Sequence, residues 1–94
     1  MENTINTEKT SFSVALESLK EGKRVCRDGW NGRGMFLYHV PANEYPARTD
    51  AAKDCFGDMV PYGAYIAMKT AQGNVVPWLA SQTDLLTDDW VILG

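Results

Sequence analysis

The residues of this chain that could break or make bonds are few. His39 is the one histidine, and Cys26 and Cys55 are the two thiols. His39 lies in an apolar run two positions after Leu37. A half-buried histidine with no chemical role is ordinary in such a place, because imidazole tolerates intermediate burial. Cys26, His39 and Cys55 together would give a metal three ligands. The fourth ligand and the close spacing typical of zinc sites are missing. A Cys–His nucleophile pair needs only proximity in space, and nothing in the pattern points to one. Asp84, Asp88 and Asp89 form an acidic group just before Trp90. Acid–base work needs carboxylates whose environments drive their pKa values apart; capping a turn or facing water is the simpler role. Gly29, Gly32 and Gly34 do not sit between a strand and a long helix, so they do not make a dinucleotide or phosphate loop. The sequence therefore offers no catalytic residue, no metal ligand and no cofactor site.

Binding is better supported. Trp30, Trp78 and Trp90 each stand beside a turn or a strand end, with Phe36, Tyr62 and Tyr65 near in sequence. Aromatic faces stack nucleobases and guanidinium groups pair phosphates. Arg24, Arg27, Arg33, Arg48 and Lys69 are available for that pairing. Tryptophans in a small domain also serve as core. Trp90, inside an apolar run, is the most core-like, and Trp30, among glycines, the least. The ring of Trp30 either folds back onto the core or walls a pocket.

These residues need a frame. Phe12, Ala15, Leu16 and Leu19 share one helical face, with Ser11 as N-cap and Gly22 just past the end. That predicts one substantial helix over 11–22. Strand character follows at 24–27, 35–40, 64–69, 75–78 and 89–93. A loop over 70–74 joins two of these strands as a hairpin. Residues 79–86 read as a loop or a single helical turn, capped by Ser81 or Thr83. Residues 41–63 contain three prolines and two glycines and show no period. They read as a long functional or interfacial loop. The expected fold class is α+β, one N-terminal helix packed on an antiparallel sheet of about five short strands.

At 94 residues the chain is expected to be one domain over 11–94 with a polar, mobile tail over 1–10. A chain this size buries roughly 60–65% of its unfolded surface, enough for one small core. The net charge of −3 argues against a nucleic-acid polymer as partner, since phosphate neutralisation needs a basic stripe. No apolar run nears the ~18–20 residues of a membrane span. A soluble cytoplasmic protein with reduced thiols is expected.

Two long segments, ALESLKEGKRVCRDGWNGRGMFL (15–37) and MKTAQGNVVPWLASQTDLLTDDWVI (68–92), closely resemble a family of small phage and prophage proteins. This is the second class of Thoeris anti-defence proteins. The resemblance implies a protein that is not an enzyme. Such proteins bind and hold a nucleotide immune signal without cleaving it, typically glycocyclic ADP-ribose made by a TIR-domain protein in the infected bacterial host. Some relatives also bind cyclic oligonucleotides at a separate site. The resemblance further implies a homotetramer with ligand pockets between subunits, and a 41–63 segment that sets ligand choice. Carried onto this chain, it makes Trp30 a pocket wall and Asn31 a reader of a base edge or ribose. Gly29, Gly32 and Gly34 would let backbone approach the ligand, with Met35 and Phe36 closing that motif. Arg27 or Arg33 would pair the pyrophosphate. Trp78 would stack or pack, and Ser81, Gln82, Thr83 and Asp84 would contact ribose hydroxyls and adenine.

Overall fold

The computed structural model describes residues 8–30 and 33–94. Helix α1 spans Phe12–Lys20. Its Ser11 cap accepts a hydrogen bond from the Val14 N–H. At the other end, the Gly22 N–H donates to Leu19 O and the Lys23 N–H to Ser18 O. This paired closure needs a left-handed residue, and Gly22 supplies it at φ 92°. The apolar stripe does what its spacing predicts: Ala15 and Leu19 are fully buried, and Phe12 and Leu16 pack against them.

The sheet that receives this stripe has five strands. They are β1 (Val25–Arg27), β2 (Phe36–Val40), β5 (Tyr65–Lys69), β6 (Val75–Pro77) and β7 (Trp90–Ile92), ordered β6-β5-β2-β1-β7. Every neighbouring pair is antiparallel. The fold is α+β, as the sequence predicts.

Register decides which side chains meet α1. Val25 stands opposite Leu37 and Ile92, Arg27 opposite Trp90, and Leu37 opposite Met68. Because side chains alternate across a strand, these residues share the helix face. Cys26, Phe36, Tyr38, Ala67 and Lys69 share the other. The core consists of Ala15, Leu19, Val25, Leu37 and Trp90, all fully buried. Thr10 and Trp90 exchange two backbone hydrogen bonds. Regular pairing therefore begins at the last residue of the expected tail; residues 1–7 lie outside the described part.

The 41–63 segment is not a structureless loop. It holds β3 (Asn43–Pro46), α2 (Asp50–Phe56) and β4 (Met59–Tyr62), with β3 and β4 paired as a separate ribbon. Thr49 caps α2 through the Ala52 N–H. No residue of α2 or β3 is buried. Sequence period reflects burial of one face, and these elements bury none, so they leave no period to read. The 79–86 segment contains helix α3 (Gln82–Leu86), capped by Ser81. Helix α3 is the single helical turn expected there, with Ser81 as its cap, and α2 is the helix that the sequence does not announce. None of these helices is long and apolar enough to cross a membrane.

Trp90 is the largest fully buried side chain, and its indole N–H donates to Asp84 O at 2.8 Å. Trp90→Phe should cost about 2–4 kcal/mol, from lost volume and an orphaned buried carbonyl. In a chain this short that is a fall of roughly 10–20 °C in Tm. Urea unfolding of both proteins checks it.

Candidate functional site

The glycine loop leaves the sheet at the end of β1, and polar bonds fix its departure. The Asp28 N–H donates to Asp89 O at 2.9 Å, and the Gly29 N–H donates to Asp89 Oδ2 at 3.0 Å. A Cβ on Gly29 would lie 2.9 Å from that same oxygen, too close for any other residue without displacing the carboxylate. The Trp30 N–H then donates to Arg27 O at 3.3 Å.

Arg27 holds this corner together. Its Nε donates to Asp89 Oδ1 at 2.9 Å and its Nη1 to Asp84 Oδ1 at 2.7 Å. The three side chains are only 12–23% exposed. The Thr87 hydroxyl adds a bond to Asp89. The second oxygen of Asp84 accepts the Ser81 N–H, while Ser81 Oγ accepts the Asp84 N–H, which closes a capping box at the start of α3. Burial pushes the Asp84 carboxyl up, but the Ser81 N–H, the Arg27 guanidinium and the Ser81 hydroxyl outweigh it and hold the carboxyl below its usual range. Arg27, against a smaller effect of burial, lowers Asp89 likewise, helped by Thr87 and the Gly29 N–H. Asp89 and Asp84 in turn raise Arg27.

Above this network stands an aromatic cluster centred on Trp90. Phe12 lies 5.2 Å from its ring, Trp30 5.5 Å and Trp78 6.0 Å, the two indoles edge-on. Trp30 is therefore half-buried and rests on the core rather than standing free. Edge-to-face pairs of this kind fix ring orientation as well as contributing energy.

The expected site residues divide between two places. Trp30, Arg27, Trp78, Ser81 and Asp84 gather around Trp90. Gln82 and Thr83 are exposed in the first turn of α3. Arg33 is exposed and Gly34 follows it at φ 71°. Asn31 and Gly32 lie outside the described residues. Met35 and Phe36 open instead onto the sheet face opposite α1.

There they line two concavities, of about 550 and 440 Å³, that share Arg24, Phe36 and Lys69. Tyr38 and Val75 bound the first, Cys26, Met35 and Leu93 the second. The sequence offers Arg24 and Lys69 only as two of five available cations and gives Tyr38 and Cys26 no place in a binding site. The signal that finds them is strand register, which sets β1, β2 and β5 side chains of one parity on one face. Burial, then Asp28 and Asp89, push the Cys26 thiol up, so it stays protonated near neutral pH. A third concavity, about 500 Å³, lies at the base of the β3–β4 ribbon among Tyr45, Pro46, Arg48, Tyr62 and Tyr65. Cys26 and His39 face opposite sides of the sheet, and Cys55 is exposed on α2. Among the described residues no cluster of His, Cys, Asp or Glu could hold a metal ion.

The profile of the Thoeris anti-defense 2-like domain matches residues 10–93. A protein of Bacillus phage SP01 named Thoeris anti-defense 2 is 39% identical over 89 residues, covering 92% of this chain and 97% of that one.

The carboxylate network makes the corner acid-sensitive. Both folded-state pKa values lie below the unfolded ones. The stabilisation is complete above the unfolded value near ~4 and is lost as pH falls through the lowered folded values. Tm should stay level from neutral pH to about 5 and fall below ~4. The acid limb should be shallower in an Asp84→Asn, Asp89→Asn double variant. Parallel acid limbs in thermal scans would place the sensitivity elsewhere.

Proposed function

Because the chain belongs to the Thoeris anti-defense 2-like family, we propose that it shields a phage or prophage from Thoeris immunity. In this reading it binds the TIR-derived signal, a glycocyclic ADP-ribose, in the host cytoplasm and holds it uncleaved. The match over nearly all of the described chain carries this proposal. The site chemistry supports retention over turnover. Asp84 and Asp89 are ionised and committed to Arg27, and the Cys26 thiol is held neutral. None is set up as a general base or nucleophile.

The proposed contacts come from the loop and from α3. Trp30 offers the exposed part of a half-buried indole set T-shaped against Trp90. Asn31, Gly32 and Arg33 follow it in sequence, and Gln82 and Thr83 offer polar groups in the first turn of α3. Met35 and Phe36 lead to the opposite face. Arg27, Ser81, Asp84 and Trp78 act as the frame that fixes the loop, with Gly29 keyed to Asp89.

A homo-oligomer with pockets shared between subunits completes the proposal. Leu79 is 91% and Leu86 78% exposed, flanking α3. Apolar side chains this open are well suited to a subunit interface. Sequestration by mass action also demands tight affinity, about −12 kcal/mol for a nanomolar ligand, and enclosure between subunits supplies contact area that one open groove lacks.

The experiment is capture and release. Purified protein is mixed with glycocyclic ADP-ribose, freed of unbound ligand and heat-denatured, and the supernatant is weighed by mass spectrometry. Intact ligand in stoichiometric amount is expected; a degraded product makes the protein an enzyme. Light scattering should give a mass that is a multiple of 10.4 kDa, and a monomer at micromolar concentration contradicts shared pockets.

A further inference from the structure

We infer that the sheet face opposite α1 binds the pyrophosphate and a ring of the sequestered nucleotide, with Phe36 as stacking platform and Arg24 and Lys69 as the pairing cations. The inference rests on the proposed function for the identity of the ligand. It rests on the geometry of the face for the residues.

The starting observation is that Arg27 is spent. Two of its donors are bound to mostly buried carboxylates, so it has little left for a pyrophosphate. Lys9 and Lys23 are also paired, with Asp28 and Glu21. Arg24 and Lys69 differ. Neither pairs with a side-chain carboxylate among the described residues, and each is steered by one main-chain oxygen. Arg24 Nε donates to Gly94 O at 3.2 Å, and Lys69 Nζ donates to Gly34 O at 3.1 Å. That single bond orients the head group and leaves the terminal nitrogens of Arg24 and two N–H groups of Lys69 available.

Both heads lie against the same ring. The guanidinium carbon of Arg24 is 5.2 Å from the Phe36 centroid, and Lys69 Nζ is 5.7 Å from it. Register explains the arrangement, since Lys69 pairs with Phe36 across β5 and β2 while Arg24 immediately precedes β1 on the other side. The two concavities meet at these three residues, and no carboxylate lines either. In a chain of net charge −3, two cations without a side-chain carboxylate partner around one half-exposed ring form a local positive field. Each volume lies in the range of small-molecule sites. Stacking on the ring and charge-assisted bonds from two cations are the contacts that a nucleoside pyrophosphate accepts.

The test measures glycocyclic ADP-ribose affinity by calorimetry for the wild type and for Arg24→Gln, Lys69→Gln, the double Gln variant and Phe36→Leu. Melting temperature and light scattering verify that each is folded and assembled. Each single Gln variant should lose about tenfold in affinity and the double about a hundredfold, with a flatter salt dependence because fewer ionic contacts are made. Phe36→Leu should lose about tenfold. A wild type that binds and Gln variants that bind equally well overturn the inference and leave the proposed function standing. A double variant that falls apart into smaller species makes these cations interface residues and also overturns it. A wild type that captures no signal removes the proposed function. The face is then titrated with inorganic pyrophosphate and ADP. Binding abolished in the double variant supports an anion site there, and no binding ends the inference.

Discussion

The hydrogen bond from the Trp90 indole to Asp84 O fixes the rest of the structure. A fully buried indole with an unpaired N–H would lose much of what its apolar surface gains, so the ring can sit in the core only if an acceptor is waiting. Asp84 provides it from the first turn of α3. The same residue presents its carboxylate to Arg27 on the neighbouring strand and closes the cap of its own helix. One residue thus couples core, sheet edge and helix start. Asp89 extends the coupling to the backbone of Gly29. The glycine loop, which in isolation has many conformations to choose from, is thereby oriented at its root and stacked at Trp30.

The same coupling separates two kinds of surface. Near Trp90 the chain is dense with mutual bonds, and the polar groups satisfy one another. At the β3–α2–β4 ribbon the reverse holds: Tyr45, Phe56, Met59 and Tyr62 are exposed on elements that bury almost nothing. A two-stranded ribbon is marginal on its own. Its capped seven-residue helix and the Tyr45–Tyr62 edge-on pair at 5.5 Å are the local interactions that hold it. This is the part of the chain where substitution disturbs the core least.

The sequence made the core legible because burial imposes period. The α1 stripe, its two caps, the five strands and the core role of Trp90 follow from spacing and turn residues. The ribbon was not legible because β3 and α2 bury no residue and β4 only Val60, too little to set a period. The framework of the site was half legible. The motifs marked Arg27, Ser81 and Asp84 as important, but their spacing cannot distinguish a ligand contact from a residue that fixes one. Two oxygens at 2.7 and 2.9 Å from one guanidinium can. Trp30 meets the first of its two alternatives, its ring folded back on the core beside Trp90. Arg24 and Lys69 lie 45 positions apart in sequence and become neighbours only through the β1–β2–β5 register, which no local pattern reports.

How the charges are distributed bears on mechanism. An acidic chain is a poor general host for anions, yet its acids are not spread evenly. Asp84 and Asp89 turn inward and share the charge of Arg27, Asp28 is tied to Lys9, and the opposite sheet face carries cations with no side-chain carboxylate lining beside them. Attraction between a fixed cation and a phosphate weakens with every nearby acid, so moving acids into internal pairs raises the potential where a ligand approaches. The same arrangement lowers the basicity of the acids it pairs. A carboxylate held ionised by a guanidinium is a weak base, and a thiol pushed up by burial, then by the charges of Asp28 and Asp89, stays protonated. The bonds that orient the root of the loop at Gly29 are therefore the bonds that hold both aspartates ionised.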